Sequence, residues 1–416
     1  MKVIILGAGL AGVCSAWYLA RAGHQVSVLE RRPAAGLETS FANGGQISVS
    51  HPEPWASPST PWNLLRWLGR ADAPIRFRLH RADAAQWRWA LAFLRECSGR
   101  RSRRNTDAIA RLGVASLHAL RALRTELDLQ YDQSARGILH LFFHKSELRA
   151  AAPRVALLAS YGIEARLCDR TQCEQIEPAL AATRCDIAGG IYAAGDESGD
   201  AHKFTQALAQ ACVARGVDFH YDTRIEGFDV LANTMGGVNV IDAHGMRGQF
   251  RADAFVCALG PFSALLAARY GERLPIYPVK GYSVTLPAAG GAPRVSITDE
   301  SRRIVLSRLG DRLRIAGMAE LDGFNLAVDP RRAGAILSRA RELFPDCGNS
   351  GAAEYWAGLR PATPSNVPII GASRIRNLYY NTGHGTLGWT LACGSAQLLA
   401  ACLDQRAPEI DFPLWT

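Results

Sequence analysis

The chain begins with a glycine-rich turn that stands between a predicted strand and a predicted helix. Residues 3–6 form a continuous apolar run, which is typical of a parallel strand buried on both faces. The turn, residues 7–12, has the sequence G-x-G-x-x-G, and a helix is predicted over residues 13–22. A second strand, Gln25–Leu29, ends on Glu30. This succession predicts a Rossmann-type unit that binds a dinucleotide.

Each glycine of the turn has a physical task in such a unit. Gly7 permits the tight turn, Gly9 allows the backbone to approach a pyrophosphate, and Gly12 allows the helix to pack close to the strand. The helix N-terminus presents free N–H groups to the phosphates, and Glu30 would accept hydrogen bonds from ribose hydroxyls. A glycine-rich turn that binds no nucleotide is the alternative. The predicted contacts are Gly7, Gly9, Leu10, Ala11, Gly12, Glu30 and Arg31.

Two further segments favour FAD over NAD as the dinucleotide. Residues 37–46 are small, polar and glycine-rich, and they can offer hydroxyl, amide and backbone donors to phosphates and to a flavin ring. An ordinary surface loop would have the same composition. Residues 252–259 have the pattern of an apolar strand that ends in a turn at Gly260, although any buried strand shares this pattern. The predicted contacts here are Ser40, Asn43, Gly44, Gly45, Gln46 and Gly260.

A second glycine-rich turn, near the end of the chain, also favours FAD. Residues 378–380 predict a strand, residues 381–388 a turn, and a helix is expected from Trp389 to about Cys402. If the N-terminus of that helix faces the flavin N1–C2=O edge, it stabilises the anionic reduced flavin. A simple nicotinamide dehydrogenase has no need of this second helix terminus. The predicted contacts are Gly383, Gly385, Thr386, Leu387 and Gly388.

Together these segments resemble a known family, the bacterial D-amino acid dehydrogenases, and in particular their small subunits. That family stands within the wider superfamily of D-amino acid, glycine and sarcosine oxidases. The resemblance covers essentially the whole chain. Its landmarks are residues 3–12, 38–40, 43–46, 278–283, 317–320, 356–361 and 381–390.

The resemblance implies FAD bound non-covalently and oxidation of a D-amino acid to an imino acid, which water converts to a 2-oxo acid and ammonia. It also implies that electrons pass to a quinone or another membrane carrier. Some members of the group oxidise D-hydroxyproline or other cyclic amines instead, so the substrate stays open. An oxygen-using oxidase of the same superfamily and a non-catalytic flavin-binding protein within a larger complex are further alternatives.

In the reaction that the resemblance implies, the Cα hydride passes to flavin N5. The protein chiefly has to orient the substrate, so neither a metal ion nor a nucleophile is expected. Arg360 offers a planar fork that matches a carboxylate. The resemblance places an anchoring arginine in its G-L-R-P sequence. A structural arginine that caps the following strand is the alternative.

Four other residues are candidates for contact with the substrate or the flavin. Tyr282 could bond the substrate's carboxylate or amine, and Lys280 could hold a water near the flavin. A half-buried strand over residues 277–286 is the alternative for both. His384, set between two glycines, could contact the substrate or flavin O2, or it could be a structural histidine. His51 follows the loop of residues 37–46 and is expected to line the pocket.

Composition bears on the partners and the compartment. The ten cysteines include no C-x-x-C pair, which predicts neither a zinc site nor a disulfide scaffold. No nucleic-acid partner is expected, although the net charge is +9. No run of 18 or more apolar residues occurs. We therefore expect a cytoplasmic protein, either free or held at the inner face of the cell membrane.

One stretch of the chain suggests peripheral attachment to a membrane, which would give access to a quinone. Residues 55–78 combine aromatic and basic side chains, and residues 95–104 add five arginines and one glutamate. An amphipathic helix packed on the protein's own core is the alternative. The aromatic and basic members of residues 55–78 are Trp55, Trp62, Trp67, Arg66, Arg70, Arg76 and Arg78.

The expected fold class is α/β, with a Rossmann-type FAD-binding domain interleaved with a substrate-binding domain on a mixed β-sheet. The FAD-binding domain is expected to comprise residues 1–50, 195–272 and 357–416. The substrate-binding domain is expected to comprise residues 51–194 and 273–356. Its sheet should include strands over residues 137–143 and 302–318.

Overall fold

The structure is a computed structural model that describes residues 1–67, 75–77 and 83–416, excluding the side chains of residues 63, 65–67 and 77. Within these residues the chain forms twenty strands and eleven α-helices. The strands are β1 (Lys2–Leu6), β2 (Gln25–Leu29), β3 (Gln46–Ile47), β4 (Ile75–Phe77), β5 (Ile138–Phe142), β6 (Arg166–Cys168), β7 (Gly189–Ala193), β8 (Glu197–Ser198), β9 (Asp218–His220), β10 (Arg224–Leu231), β11 (Thr234–Ile241), β12 (Arg247–Phe250), β13 (Ala254–Cys257), β14 (Tyr277–Pro287), β15 (Ser296–Asp299), β16 (Ile304–Leu309), β17 (Arg312–Leu321), β18 (Glu354–Ala362), β19 (Ile369–Ala372) and β20 (Leu378–Thr382). The helices are α1 (Leu10–Arg21), α2 (Thr60–Trp67), α3 (Ala84–Glu96), α4 (Gly99–Leu127), α5 (Lys145–Ala151), α6 (Pro153–Ser160), α7 (Arg170–Ile176), α8 (Ala201–Ala214), α9 (Ser263–Ala268), α10 (Pro330–Leu343) and α11 (Gly388–Leu403).

The first sheet contains the predicted dinucleotide-binding unit. Its six strands lie in the order β19-β20-β13-β1-β2-β9, and β1 pairs in parallel with both β2 and β13. Val3 and Ile5 of β1 pack into a core with α1, α8 and α11, whereas Ile4 and Leu6 pack into a second core with β10 and β11. Both faces are therefore covered, as the continuous apolar run predicts. The predicted strand–turn–helix–strand order is confirmed, with α1 beginning at Leu10.

The second sheet is larger and mixed. Eight of its strands lie in the order β18-β14-β17-β16-β15-β5-β7-β6, and β4 pairs with β17. β15 and β5 are parallel, as are β17 and β4, while β14, β17 and β18 pair antiparallel. On one face, Ile336 and Ala340 of α10 pack with Leu306 and Ile315 of the sheet. The α/β fold class with a second, mixed sheet is confirmed.

The expected division into two domains stays a prediction. Among the described residues, the six-stranded sheet draws its strands from residues 2–29, 218–257 and 369–382. The nine-stranded sheet draws its strands from residues 75–77, 138–193 and 277–362. β18, at residues 354–362, belongs to this second sheet and crosses the expected boundary at residue 357.

The stretch expected to face a membrane is described in part. Arg70 and Arg78 lie outside the described residues, as do the side chains of Arg66 and Trp67. Trp62 lies on α2 with 70% of its surface exposed. Trp55 instead packs against a small core with residues of α3, β14 and β17. In the part of the chain that is described, no helix has the length and apolar character that crossing a bilayer requires.

Candidate functional site

A cavity of about 790 Å³ is bordered by residues of both sheets. The first βα turn, the loop of residues 37–46, one face of the nine-stranded sheet and the turn before α11 all contribute to its wall. Its volume lies within the range of about 300–1,000 Å³ that is usual for ligand pockets. Segments that are hundreds of residues apart in the sequence thus meet at one site.

The turn between β1 and α1 leaves no room for larger residues at two of its glycines. Gly7 has φ +100°, a conformation that side chains other than glycine rarely adopt. A Cβ on Gly12 would lie 1.9 Å from the Gly7 carbonyl oxygen, so only glycine lets α1 start this close to the strand. Gly7, Gly9, Leu10 and Ala11 border the cavity, whereas Gly12 supports the turn from behind. The N-terminus of α1 therefore faces the cavity.

Glu30 and Arg31 follow β2 at the cavity wall. The Glu30 carboxylate accepts hydrogen bonds from the backbone N–H groups of Ala8, at 2.7 Å, and Arg32, at 2.9 Å. Burial raises the pKa of Glu30, and these two bonds act in the opposite direction. Each carboxylate oxygen keeps a second lone pair that a hydroxyl group can use. Arg31 donates to Glu38 at 2.7 Å and stacks on the ring of Phe262 at 4.2 Å.

The loop of residues 40–46 is held to both helix α1 and the second sheet. Ser40 Oγ accepts the N–H of Leu10 at 3.1 Å, and Asn43 Oδ1 accepts the N–H of Gly45 at 2.9 Å. Gln46 Nε2 donates to hydroxyl groups on β15, with Ser296 at 2.9 Å. The predicted contacts Ser40, Asn43, Gly44, Gly45 and Gln46 all border the cavity. The loop is therefore a fixed part of the wall.

Gly260 and the turn of residues 383–388 complete the predicted cofactor contacts. Gly260, Gly385, Thr386, Leu387 and Gly388 border the cavity. Gly260 and Gly385 have φ of +54° and +55°. Gly383, with φ +80°, lies behind the turn, where a Cβ would meet Thr363 Cγ2 at 2.9 Å. α11 begins at Gly388, so a second helix N-terminus faces the same cavity.

His384 borders the cavity as a neutral imidazole. Its Nε2 lies 3.0 Å from Ser395 Oγ of α11, and its backbone forms a bridge with Ala362. Burial lowers the pKa of His384 to about 4. The ring is therefore uncharged at neutral pH and contributes hydrogen bonding rather than a positive charge.

Arg360 lies flat over a glycine on the cavity face of the nine-stranded sheet. A Cβ on Gly281 would lie 2.3 Å from the guanidinium carbon, so the glycine makes the space for this side chain. Nη1 donates to the Met318 carbonyl at 2.7 Å. No carboxylate among the described residues is paired with it, and burial lowers the pKa of Arg360 to about 10. A guanidinium held in this way has donors left for an anion.

Tyr282, expected to bond the substrate, and Lys280, expected to hold a water near the flavin, both have buried protein partners in the structure. Successive residues of a strand point to opposite faces, so Lys280 and Tyr282 point away from the face on which Arg360 lies over Gly281. Lys280 does not border the cavity; its Nζ lies 2.9 Å from Glu320 Oε2. Tyr282 touches the cavity wall, but its hydroxyl donates to Glu320 at 2.7 Å. Both side chains belong to a buried ion-pair cluster with Arg332 of α10.

His51 borders the cavity, as expected, within a polar group that the sequence did not reveal. Its Nε2 lies 3.6 Å from Glu300, and its Nδ1 lies 3.7 Å from Glu53. The sequence gives no sign of this group, because Glu300 is about 250 residues from His51 and Glu53 in the chain and the three residues match no motif. The other cavity residues that sequence analysis missed include Glu53, Arg154, Thr298, Arg303, Trp356 and Asn381.

The residues around the cavity fit a bound FAD. Two helix N-termini face the cavity, and Gly7 and Gly12 leave the backbone free of side chains where α1 begins. Asn381 Oδ1 is buried and has no hydrogen-bond partner among the described residues, so it is free to accept one from a ligand. The residues that would hold the dinucleotide are Gly7, Gly9, Leu10, Ala11, Glu30 and Ser40. Those that would hold the flavin are Asn43, Gly44, Gly45, Gln46, Gly260, Asn381, Gly385, Thr386, Leu387 and Gly388.

Comparisons with known proteins agree with this fit. Residues 2–402 match the family described as FAD dependent oxidoreductase. The chain is 52% identical to the D-amino acid dehydrogenase of Dechloromonas aromatica strain RCB, over 99% of both chains. It is 49% identical to that of Paramagnetospirillum magneticum, over 99% of this chain and 97% of that one.

Among solved structures, the glycine oxidase from Geobacillus kaustophilus is similar, with a TM-score of 0.77. That similarity covers 99% of this chain and 96% of the oxidase at 21% identity, which shows a shared fold. The resemblance drawn from the glycine-rich segments is confirmed, and so is the expectation of FAD. The chain belongs to the family of FAD-dependent oxidoreductases.

Proposed function

We propose that this protein is a D-amino acid dehydrogenase that binds FAD non-covalently. It oxidises a D-amino acid to the imino acid, and water converts the imino acid to a 2-oxo acid and ammonia. Electrons leave to a quinone or another carrier. Support comes from the D-amino acid dehydrogenases that are 52% and 49% identical to this chain along its whole length.

The proposal depends most on the surroundings of the Arg360 guanidinium, which has no anionic partner among the described residues. The guanidinium is half-buried at the cavity wall, donates to one backbone carbonyl and pairs with no carboxylate among the described residues. A guanidinium withdrawn from water is stabilised by an anion, and the planar fork suits a carboxylate. An α-carboxylate group on the substrate supplies that anion. The anchor then fixes the position of Cα.

The remaining work of the site is orientation and exclusion of water. A bound flavin supplies the acceptor for the Cα hydride. The indole ring of Trp356 lies over Gly358, beside Arg360. The ring is so close that a Cβ on this glycine would lie 2.0 Å from it. His384, neutral and fixed by Ser395, offers a hydrogen bond without a competing positive charge. These side chains hold an amino acid with its carboxylate on Arg360.

Turnover with different electron acceptors tests this function. We expect the purified holoenzyme to oxidise D-amino acids with a quinone analogue and to produce ammonia and a 2-oxo acid in equal amounts. Peroxide formed at the same rate in air would make the protein an oxidase. Turnover with D-hydroxyproline alone would assign it to secondary amines.

We further propose that the protein binds peripherally to the inner face of the membrane, where a quinone is accessible. The support is an exposed apolar stripe on α3 formed by Trp87, Leu91 and Leu94, at helical spacing. Trp62 of α2 is exposed as well. An aromatic and apolar surface beside basic side chains suits an anionic lipid headgroup region. The exposed arginines nearby in the sequence are Arg88, Arg95, Arg100, Arg101, Arg103 and Arg104.

Flotation with lipid vesicles tests this attachment. We expect the protein to float with anionic vesicles at low salt, and a Trp62→Ser/Trp87→Ser/Leu91→Ser variant to stay at the bottom of the gradient. A Leu231→Ser/Met246→Ser variant is the matched control, since it removes exposed apolar residues from elsewhere on the surface. If the native protein does not float, or if both variants float equally well, the attachment proposal is wrong.

A further inference from the structure

A buried polar chain leads inward from the cavity and has no part in the substrate anchor described above. It begins at His51, which borders the cavity. His51 Nε2 lies 3.6 Å from Glu300 Oε1, and the same oxygen lies 3.1 Å from Nδ1 of the buried His140. The two histidine rings lie 5.8 Å apart. Glu300 therefore stands between a histidine at the cavity and a histidine in the interior.

The chain continues on the other side of His140. His140 Nε2 lies 3.0 Å from Ser50 Oγ, and Ser50 Oγ is hydrogen-bonded to Asp196 Oδ2. Asp196 is 1% exposed and also accepts the backbone N–H groups of Val49 and Ser50. We call the five side chains His51, Glu300, His140, Ser50 and Asp196 the relay chain.

The inner part of the relay chain has room for one more proton. Its three contacts, Glu300–His140, His140–Ser50 and Ser50–Asp196, each need one hydrogen between two heavy atoms. With both carboxylates ionised and His140 neutral, only two hydrogens are present, one on the imidazole and one on the hydroxyl. One added proton supplies the missing hydrogen. Whether this proton is on Asp196 or on Glu300, each of the three contacts then has its hydrogen bond.

The charges around the relay chain determine where the added proton sits. Burial raises the pKa of Asp196 to about 6, and its hydrogen bonds to Ser50 act against that rise. Burial also works to raise the pKa of Glu300, but the positive groups beside it outweigh burial and hold that pKa well below its usual value. Burial lowers the pKa of His140. The added proton therefore sits on Asp196.

The other groups that face these side chains are fixed in ion pairs. Arg154 lies 3.0 Å from Glu300 and 2.8 Å from Glu53, and Arg303 lies 2.6 Å from Glu300. Arg303 Nη1 also lies 3.5 Å from His51 Nε2. Ser48, which borders the cavity, donates to Asp196 at 3.2 Å. Two carboxylates, those of Glu53 and Glu300, lie within 4 Å of the His51 ring nitrogens.

We propose that His51 takes the proton that the substrate ammonium must lose before oxidation, and that the relay chain carries it to Asp196. This inference rests on the proposed function. The ammonium N–H bond breaks, and the neutral amine keeps the electron pair. A bound flavin would accept the hydride from Cα as a two-electron oxidant, and the substrate would then be the iminium. One proton is released per substrate oxidised, and the relay chain holds that proton.

Infrared difference spectroscopy of the substrate-free holoenzyme tests the storage site directly. Spectra taken above and below pH 6 should show a buried carboxyl group that becomes protonated as the pH falls. Asp196→Asn should abolish that band. Glu177→Gln is the matched control, because Glu177 is also 1% exposed but accepts the backbone N–H groups of Arg294 and Val295, away from the relay chain. If the native band persists in Asp196→Asn, the inference is overturned.

The rate of flavin reduction, measured anaerobically by stopped flow, tests the transfer. Asp196→Asn and His140→Gln should each slow reduction at neutral pH by roughly 100-fold, the scale of general acid–base catalysis, with substrate affinity nearly unchanged. The loss should shrink as the pH rises toward the pKa of the substrate ammonium, because the amine is then neutral before it binds. A purely structural role would not produce this recovery.

Two results would contradict the inference in different ways. A native rate and pH profile in Asp196→Asn would remove the storage role. If flavin reduction is slow in Asp196→Asn but has the native rate in His140→Gln, the proton reaches Asp196 through Ser48. The relay through the two histidines would then be wrong. If Asp196→Asn does not fold, His140→Gln alone decides, since its rate must fall. A native enzyme that no amino acid reduces would instead overturn the proposed function itself.

Discussion

Arg360 is the residue on which the assignment of substrate depends most. In an Arg360→Lys variant the charge is retained but the planar fork and its reach are lost. Losing a buried charged hydrogen-bond pair costs about 3 kcal/mol, so we expect kcat/KM for D-amino acids to fall by roughly 100-fold. Steady-state kinetics measure this, and the flavin content should stay unchanged. An unchanged kcat/KM would show that the substrate carboxylate binds elsewhere.

Gly281 tests the same anchor without touching the arginine. In Gly281→Ala the new Cβ would overlap the Arg360 guanidinium, whose atoms lie 2.3–2.4 Å from its position. The flexible arginine can move, so we expect a folded protein with KM raised about tenfold, equivalent to about 1.4 kcal/mol. Gly290→Ala, which meets no atom within 4 Å, is the matched control. A native KM in Gly281→Ala would show that the observed position of Arg360 is not needed.

His384 gives the stability of the protein a dependence on pH. The pKa of His384 is about 4 in the folded protein and near 6.5 in an unfolded chain. Between these pH values the ring therefore takes up a proton when the protein unfolds, and this uptake favours the unfolded state. The stability that the neutral ring confers is complete above about pH 6.5 and is lost as the pH falls toward about 4. The shift corresponds to about 3 kcal/mol.

Urea unfolding of His384→Asn measures this contribution, because asparagine does not titrate. Between about pH 7 and about pH 4 the native protein should lose about 3 kcal/mol more unfolding free energy than the variant. His244→Asn, at an exposed position, is the surface control. A difference between native protein and His384→Asn that is the same at both pH values would mean that His384 is not the source.

At the scale of elements, the contact between β1 and α1 decides whether FAD binds at all. In Gly12→Ala the Cβ would lie 1.9 Å from a backbone carbonyl, which cannot move as a side chain can. Overpacking of this kind costs about 1–3 kcal/mol and shifts the helix N-terminus. We expect purified Gly12→Ala to carry little flavin and to melt at a lower temperature.

The control for Gly12→Ala is Gly334→Ala in α10, where the glycine meets no atom within 4 Å. This variant should bind stoichiometric FAD and melt at or above the native temperature, because alanine favours a helix. Full flavin content in Gly12→Ala would contradict the role assigned to the first turn.

The elements around the cofactor could be predicted because their determinants are local. The glycines of residues 7–12 and 383–388 act within one turn, so their sequence reveals their structure. The roles of Lys280 and Tyr282 could not be predicted in the same way. Periodicity shows that strand residues alternate between two faces, but not which face meets the cavity. Helix α10 covers the face of the sheet that carries Lys280 and Tyr282, because Arg332 on this helix pairs with Glu320.

At the scale of the whole molecule, the site exists only because two sheets meet. The relay chain takes His51, His140, Asp196 and Glu300 from four distant segments, and no short motif contains two of its titratable side chains. Such a group depends on the nine-stranded sheet, where β15 lies beside β5 and brings Glu300 next to His140. Sequence patterns could predict this sheet in part, but not the pairing of its strands.

The central claim is that this flavoprotein oxidises D-amino acids at the cavity that Arg360 borders. Anaerobic mixing of the holoenzyme with matched D- and L-amino acids, followed by the visible absorbance of the flavin, tests it most directly. We predict that D-amino acids bleach the flavin in the native protein, that the L-enantiomers do not, and that Arg360→Lys is bleached far more slowly. A flavin that no D-amino acid bleaches, or that L-amino acids bleach equally well, would contradict the account.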